Sequence, residues 1–271
     1  MLPTGHSSRT ASTAVSSPPD LPPPGGRCAI HQPNFFPRLT TLAKLFAADY
    51  WIVLDDVQFA RRDYQHRARL AALNDPARRQ WLTVPTRLAD GRSTIIRDAE
   101  IVDPARARRR IRRTLQHCYG ASPHWPALEP ALAPVLDLIV TTGRTAAVAE
   151  ASTRTLLEVL GWSGRILRSS SLPSRPGRTE RLVDLAVATG ATTYLCGTGG
   201  MKYLKTGLFD ACGITVIPFR HSRAGVWVAG QEVSALTPLL HLGPQRLIAE
   251  FRDLEASQLG LVTNQRLRRS H

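Results

Sequence analysis

The 271-residue chain has few cysteines, four in all: Cys28, Cys118, Cys196 and Cys212. They are widely spaced and form no CxxC pair, which argues against a zinc site and against a disulfide framework. No apolar run approaches the roughly 18 residues of a membrane-spanning helix. The first residues have no apolar stretch of the kind a secretory signal needs, so a reducing cytoplasm is the expected compartment. Neither GxGxxG nor the Walker Gly-Lys-Ser/Thr occurs, so the usual dinucleotide and P-loop modes of binding are not supported. There is no internal repeat, and no RNA-binding module stands beside the positive charge.

What is present is ample for a folded core. Hydrophobic residues make up 43% of the chain, and the length suits one large α/β domain or two small ones. Residues 1–26 are rich in Ser, Thr, Pro and Gly and are expected to be a disordered leader outside the fold. The net charge is +14, and it is carried overwhelmingly by arginine. Arg106, Arg108, Arg109, Arg110, Arg112 and Arg113 crowd one predicted helix. That helix is either a solvated face or a place for RNA, a nucleotide sugar or another phosphate carrier.

Residues 28–69 organise the rest. Cys28-Ala29-Ile30 runs into His31-Gln32-Pro33-Asn34, and Tyr50 to Leu54 runs into Asp55-Asp56-Val57-Gln58. Between them Pro37 to Ala48 reads as a helix, with Leu39, Leu42, Leu45 and Phe46 at helical spacing. Strand, helix and strand make a βαβ unit with parallel strands. Ligands of open α/β sheets sit outside the carboxyl ends of the strands. His31, Gln32, Asn34, Asp55, Asp56 and Gln58 all fall at that edge.

A polar loop is expected over residues 60–69, where Arg61 and Arg67 could fork onto phosphate or carboxylate. Gln80 to Val84 reads as a strand closed by Pro85, and Thr94 to Val102 as a further strand. From Pro104 the period is helical. One helix carries Ile111, Leu115, Cys118 and Tyr119 on one stripe and ends at Gly120, and others cover residues 128–140 and 145–160. Then the α/β alternation resumes. Strands are expected at 165–168, 192–196 and 213–219, with helices at 179–189 and 201–211, the Gly197-Thr198-Gly199-Gly200 loop, and a tail of short helices. The expected fold is therefore α/β, a mostly parallel sheet with flanking helices and an inserted helical subdomain at about 104–160. The domain spans 27–255 and a basic tail spans 256–271.

Four groups could carry chemistry. Asp55 and Asp56 could serve as base, cation ligand or binder of hydroxyls or an amine, although neighbours on a strand point to opposite faces. One could equally cap the next element. His31 could be a base, could bind phosphate as a hydrogen-bond donor, or could be simply a packed residue. The glycines Gly197, Gly199 and Gly200 could turn backbone amides toward an anion, or form only a tight turn. Cys196 could be a nucleophile beside that loop or a small core residue.

The chain resembles a known family in several stretches. They are Ile30-His31-Gln32-Pro33-Asn34-Phe35-Phe36-Pro37, Leu54-Asp55-Asp56-Val57-Gln58-Phe59, Trp81-Leu82-Thr83-Val84-Pro85, Thr179-Glu180-Arg181-Leu182, Thr193 to Gly200, and Tyr203-Leu204. Together they are similar to the WbqC-like family of bacterial proteins over roughly residues 28–245. The resemblance implies biosynthetic transfer or ligation chemistry in specialised-metabolite or surface-polysaccharide synthesis, with an acyl or aminoacyl group passing to an amine such as an amino sugar. On this reading His31, Asp55 and Asp56 are the expected catalytic residues. Gln32, Asn34, Gln58, Arg61, Arg67, Glu180, Arg181, Cys196, Gly197, Gly199, Gly200 and Tyr203 are the expected substrate-binding residues. No metal ligands are assigned. The βαβ start also resembles nucleotidyl-transferring ligases at the level of fold alone, which leaves ATP with magnesium open as a cofactor. Carrier RNA or a carrier protein is open as a partner beside a small-molecule substrate, and a sugar-nucleotide-binding protein without catalysis is the reading from another class. The chain departs from the family at His66-Arg67-Ala68-Arg69, where Asn-Arg-Asn-Arg is usual. It departs again at Cys196, where Ser is frequent, and at Arg38, where an aromatic is frequent.

Overall fold

The computed structural model describes residues 26–269. Residues 1–25 of the expected leader and the last two residues of the basic tail lie outside the described residues. Strand β1 (Arg27–His31), helix α1 (Leu39–Phe46) and strand β2 (Tyr50–Val53) form the βαβ unit, with Cys28 level with Tyr50 and His31 with Val53. All four residues of β2 are buried, as a parallel strand covered on both faces requires. An antiparallel hairpin follows, β3 (Arg67–Ala71) and β4 (Arg79–Thr83), then the two-residue pair β5 (Thr86–Arg87) and β6 (Glu100–Ile101). The helices α2 (Pro104–Tyr119), α3 (Trp125–Thr141) and α4 (Thr145–Val159) come next, then β7 (Arg165–Arg168) and α5 (Arg178–Val187). The chain closes with β8 (Thr193–Gly197), α6 (Thr198–Met201), α7 (Thr206–Asp210), β9 (Thr215–Phe219), α8 (Leu236–Leu242) and α9 (Pro244–Arg269).

Five strands form one sheet in the order β7-β2-β1-β8-β9, and every pairing in it is parallel. The α/β fold expected from the alternation is what the chain adopts. The pleat sends alternate residues to opposite layers. Ala29, Trp51, Val53, Leu195, Ile217 and Phe219 enter a large core shared with α1, α2, α3, α4, α8 and α9. Cys28, Ile30, Tyr50, Ile52, Tyr194 and Cys196 enter a smaller one with Val183, Leu185 and Ala186 of α5 and Phe209 of α7. The helical insertion has no core of its own: Ile111, Leu115, Leu132 and Leu156 belong to the large cluster.

Four expectations differ from the structure. Residues 67–71 are a strand rather than loop, since Ala68 and Leu70 are buried while Arg67 and Arg69 alternate outward. Thr94 to Val102 is not one strand: it holds a 3-10 turn at Ile96–Asp98 and only the two residues of β6. Residues 198–201 are the first turn of a short helix, so the expected helix at 201–211 is two short pieces. The tail begins with a short helix, α8, as expected, but continues as one long helix to Arg269.

The sheet order matters for function. The chain winds outward from β1 through β2 to β7, then returns to the other side of β1 as β8 and β9. Such a reversal opens a crevice at the carboxyl ends of the two central strands. Here β1 and β8 are in register at only two positions, Arg27 with Thr193 and Cys28 with Tyr194, and then part.

Candidate functional site

A cavity of about 570 Å³ lies where β1 and β8 separate. His31 and Ile30 line it from β1, Tyr194, Cys196 and Gly197 from β8, and Arg38, Thr41 and Lys44 from α1 and its N-terminus. Three-residue spacing puts the last three on one face of the helix. The loop that delivers Arg38 is held in an uncommon conformation: Phe36 has φ 43°, and Ser152 Oγ accepts its N–H at 2.9 Å. A bulky residue in the left-handed region persists only where its surroundings fix it.

Lys44 is one of three lysines in the chain and is only 4% exposed. Its Nζ lies 3.4 Å from the Ile30 carbonyl oxygen and 3.4 Å from His31 Nδ1. His31 Nε2 lies 3.2 Å from Asn34 Oδ1. The amide oxygen can only accept, so Nε2 carries the hydrogen and Nδ1 receives one from Lys44. Burial, then the charges of Lys44 and Arg38, hold the His31 pKa well below its usual range, against the contact with Asn34. Histidine is therefore neutral here. Burial also pushes Lys44 down to about 8, with Arg38 adding to the effect.

The glycines form the opposite rim. Gly199 and Gly200 are exposed, and a Cβ on Gly199 would meet nothing within 4 Å. A Cβ on Gly200 would come within 2.9 Å of Cys196 Sγ. Cys196 is buried, with Sγ 3.4 Å from the Gly197 carbonyl oxygen. Burial raises its thiol pKa more than Lys44 and Tyr194 lower it, which favours a packed thiol over a thiolate nucleophile.

The two adjacent aspartates belong to a different cluster. Asp55, 5% exposed, accepts from Ser169 Oγ at 3.1 Å, Ser170 N at 3.1 Å and Ser170 Oγ at 2.8 Å. Asp56 contacts Ser169 Oγ and pairs with Arg181. Asp55 lines a second cavity of about 320 Å³ with Arg97, Arg144, Glu150 and Arg168. The clusters touch through the backbone, Leu54 N donating to the His31 carbonyl at 3.0 Å.

The remaining expected residues are dispersed. Asn34 is buried behind His31. Gln32 accepts from Gln65 at 2.8 Å, and exposed Gln58 donates to the Arg92 carbonyl. The Arg67 guanidinium lies 4.2 Å from the centre of the Trp81 ring and donates to the Asp63 and Arg62 carbonyls, while Arg61 is exposed. Tyr203 is 61% exposed, with Arg178 over its ring, and Glu180 lies in the first turn of α5. None of these lines the central crevice. The residue most clearly missed is Lys44. Its only signal is a charge between Ala43 and Leu45 on an apolar helix, where a lysine reads as surface.

Among the described residues no group of three or more His, Cys, Asp or Glu side chains could hold a metal ion, and no helix is long and apolar enough to cross a membrane. The profile of the WbqC-like protein family matches residues 32–228. Among curated proteins, the chain is 27% identical over 193 residues to "Uncharacterized protein Rv1507c" of Mycobacterium tuberculosis (strain ATCC 25618 / H37Rv), an overlap of 71% of this chain and 81% of that protein. No solved structure matches at a significant level.

Proposed function

The chain belongs to the WbqC-like protein family, and from that premise we propose that it forms amide bonds, moving an activated acyl or aminoacyl group onto an amine in the crevice between β1 and β8. The observation that carries this reading is the contact of a neutral imidazole, His31, with an ammonium, Lys44, in one concave site. An attacking amine must lose a proton, and the donor's leaving group gains negative charge. His31 is the proton acceptor and Lys44 with Arg38 the counter-charge. An anionic donor draws Lys44 away from Nδ1 and offsets the two charges that depress His31, so the base strengthens when the donor arrives. Asp55 and Asp56, tied to Ser169, Ser170 and Arg181, hold the neighbouring sheet edge.

A donor delivered on a carrier RNA or carrier protein is favoured over free ATP-driven activation by one observation. Arg106, Arg109, Arg110, Arg112 and Arg113 of α2 are all exposed. An RNA-bound donor predicts affinity that falls steeply with salt.

The test supplies purified protein with amine acceptors and two donor sets: amino acids with ATP and magnesium, and aminoacyl-tRNA or acyl thioesters. Mass spectrometry then reads the amide. Product from one set, absent in His31→Gln, supports the reading. Ligand-dependent stabilisation without product from either set would replace it with a binding function.

A further inference from the structure

The crevice holds more positive charge than its own carboxylates balance. Lys44 Nζ has three hydrogens and two contacts, the Ile30 carbonyl and His31 Nδ1. Among the described residues no carboxylate pairs with it. Arg38 donates from Nη1 to the Gln231 carbonyl at 3.0 Å and lies 4.2 Å from the centre of the Tyr64 ring, but its buried Nε has no hydrogen-bond partner. The acid in the lining, Glu232, is taken by Arg79 at 2.6 Å. Two cations from one helix face thus remain over a cavity whose opposite rim is glycine. A Cβ on Gly197 would come no closer than 3.9 Å to Lys44 Nζ, so a ligand can approach from that side.

We propose that this crevice binds the phosphate group of a phosphorylated small molecule, held between Lys44 and Arg38. A phosphate monoester carries about −1.5 to −2 charge near neutrality and so matches two cations, where a carboxylate matches one. The cavity, about 570 Å³, is far larger than inorganic phosphate and falls in the range of about 300–1,000 Å³ typical of small-molecule sites. The phosphate therefore arrives on a larger body, a nucleoside or a sugar. The inference rests on taking this crevice as the reaction site, but its test needs no turnover.

Isothermal titration in low-salt, phosphate-free buffer would use AMP, ribose 5-phosphate and inorganic phosphate as probes, with adenosine and acetate as controls. Wild type binds AMP or ribose 5-phosphate, adenosine and acetate do not register, and K44M and R38Q each weaken binding tenfold or more. AMP as the tighter probe points to a nucleoside phosphate, and ribose 5-phosphate as the tighter one to a sugar phosphate. Arg38 is partly exposed, so R38Q removes the second cation without disturbing the buried contact of Lys44 with His31. Failure of every phosphorylated probe to bind wild type, or undiminished binding by both variants, overturns the proposal. Phosphate binding without amide product leaves it standing and removes the amide reading, and amide product without phosphate binding does the reverse.

Discussion

Lys44 Nζ and His31 Nδ1 lie 3.4 Å apart at the carboxyl end of β1, sharing one hydrogen across a buried contact that includes no carboxylate. A charge in that position destabilises the empty protein unless an anion joins it. Both the proposed chemistry and, together with Arg38, the proposed ligand class rest on this contact.

Replacing Lys44 by Met stabilises the ligand-free protein. A lysine pushed from 10.5 to about 8 on folding is held more tightly protonated by the unfolded chain. Between those values the unfolded state binds more protons, so stability rises with pH there, and the full cost of the charge is felt below about pH 8. Urea unfolding at pH 7 should show K44M more stable by on the order of 1–3 kcal/mol, with the gap closing by about pH 10. A less stable K44M with no change in the gap would mean that Lys44 already has its counter-charge.

His31→Gln keeps groups that can accept from Lys44 and donate to Asn34 but cannot take a proton. Turnover in the amide assay is expected to fall by about 10²–10⁴-fold, with the melting temperature little changed. Wild-type turnover in this variant would remove His31 from the chemistry.

Asp56 and Arg181 form an ion pair with side chains 18% and 24% exposed, and Arg181 Nε is buried without a partner. Losing Asp56 leaves that guanidinium unbalanced. A double-mutant cycle with D56N and R181Q, read by urea unfolding, should give a coupling of about 1–3 kcal/mol. Additive effects would show the pair to be structurally inert.

Gly200→Ala tests the packing of the rim. Helix propensity alone would favour alanine by about 1 kcal/mol, yet the new Cβ would lie 2.9 Å from Cys196 Sγ. A net loss of about 1–3 kcal/mol is expected. Prior replacement of Cys196 by Ala should recover most of it, and equal losses in the two backgrounds would contradict the clash.

The β1–α1–β2 unit was readable because Cys28 to Ile30 and Tyr50 to Leu54 are continuous apolar runs around a helical stripe. The edge rule placed His31 at the carboxyl ends of the strands, and the structure brings it beside Cys196 to Gly200 in one cavity. What stayed hidden depended on partners far along the chain. Asp55 and Asp56 read as a candidate pair, and their partners, Ser169 and Ser170, which donate to them, stand more than a hundred residues later. Strand β3 was masked because only Ala68 and Leu70 face inward between arginines. Thr94 to Val102 looked extended, but the N–H groups of Ile96 and Arg97 bond to the carbonyls of Val57 and Asp55 instead of a ladder. Lys44 was masked by its own charge.

The most direct measurement follows the ring nitrogens of His31 by ¹⁵N NMR across pH 5–8, with and without AMP. A neutral ring protonated on Nε2 is expected throughout that range in the free protein, because burial and the charges of Lys44 and Arg38 depress its pKa. A clear upward shift in that pKa is expected once the phosphate offsets those charges. A free His31 that titrates near its usual value of about 6.5, or a ring that AMP leaves unchanged, would overturn the pairing of His31 with a phosphate-binding Lys44 and Arg38.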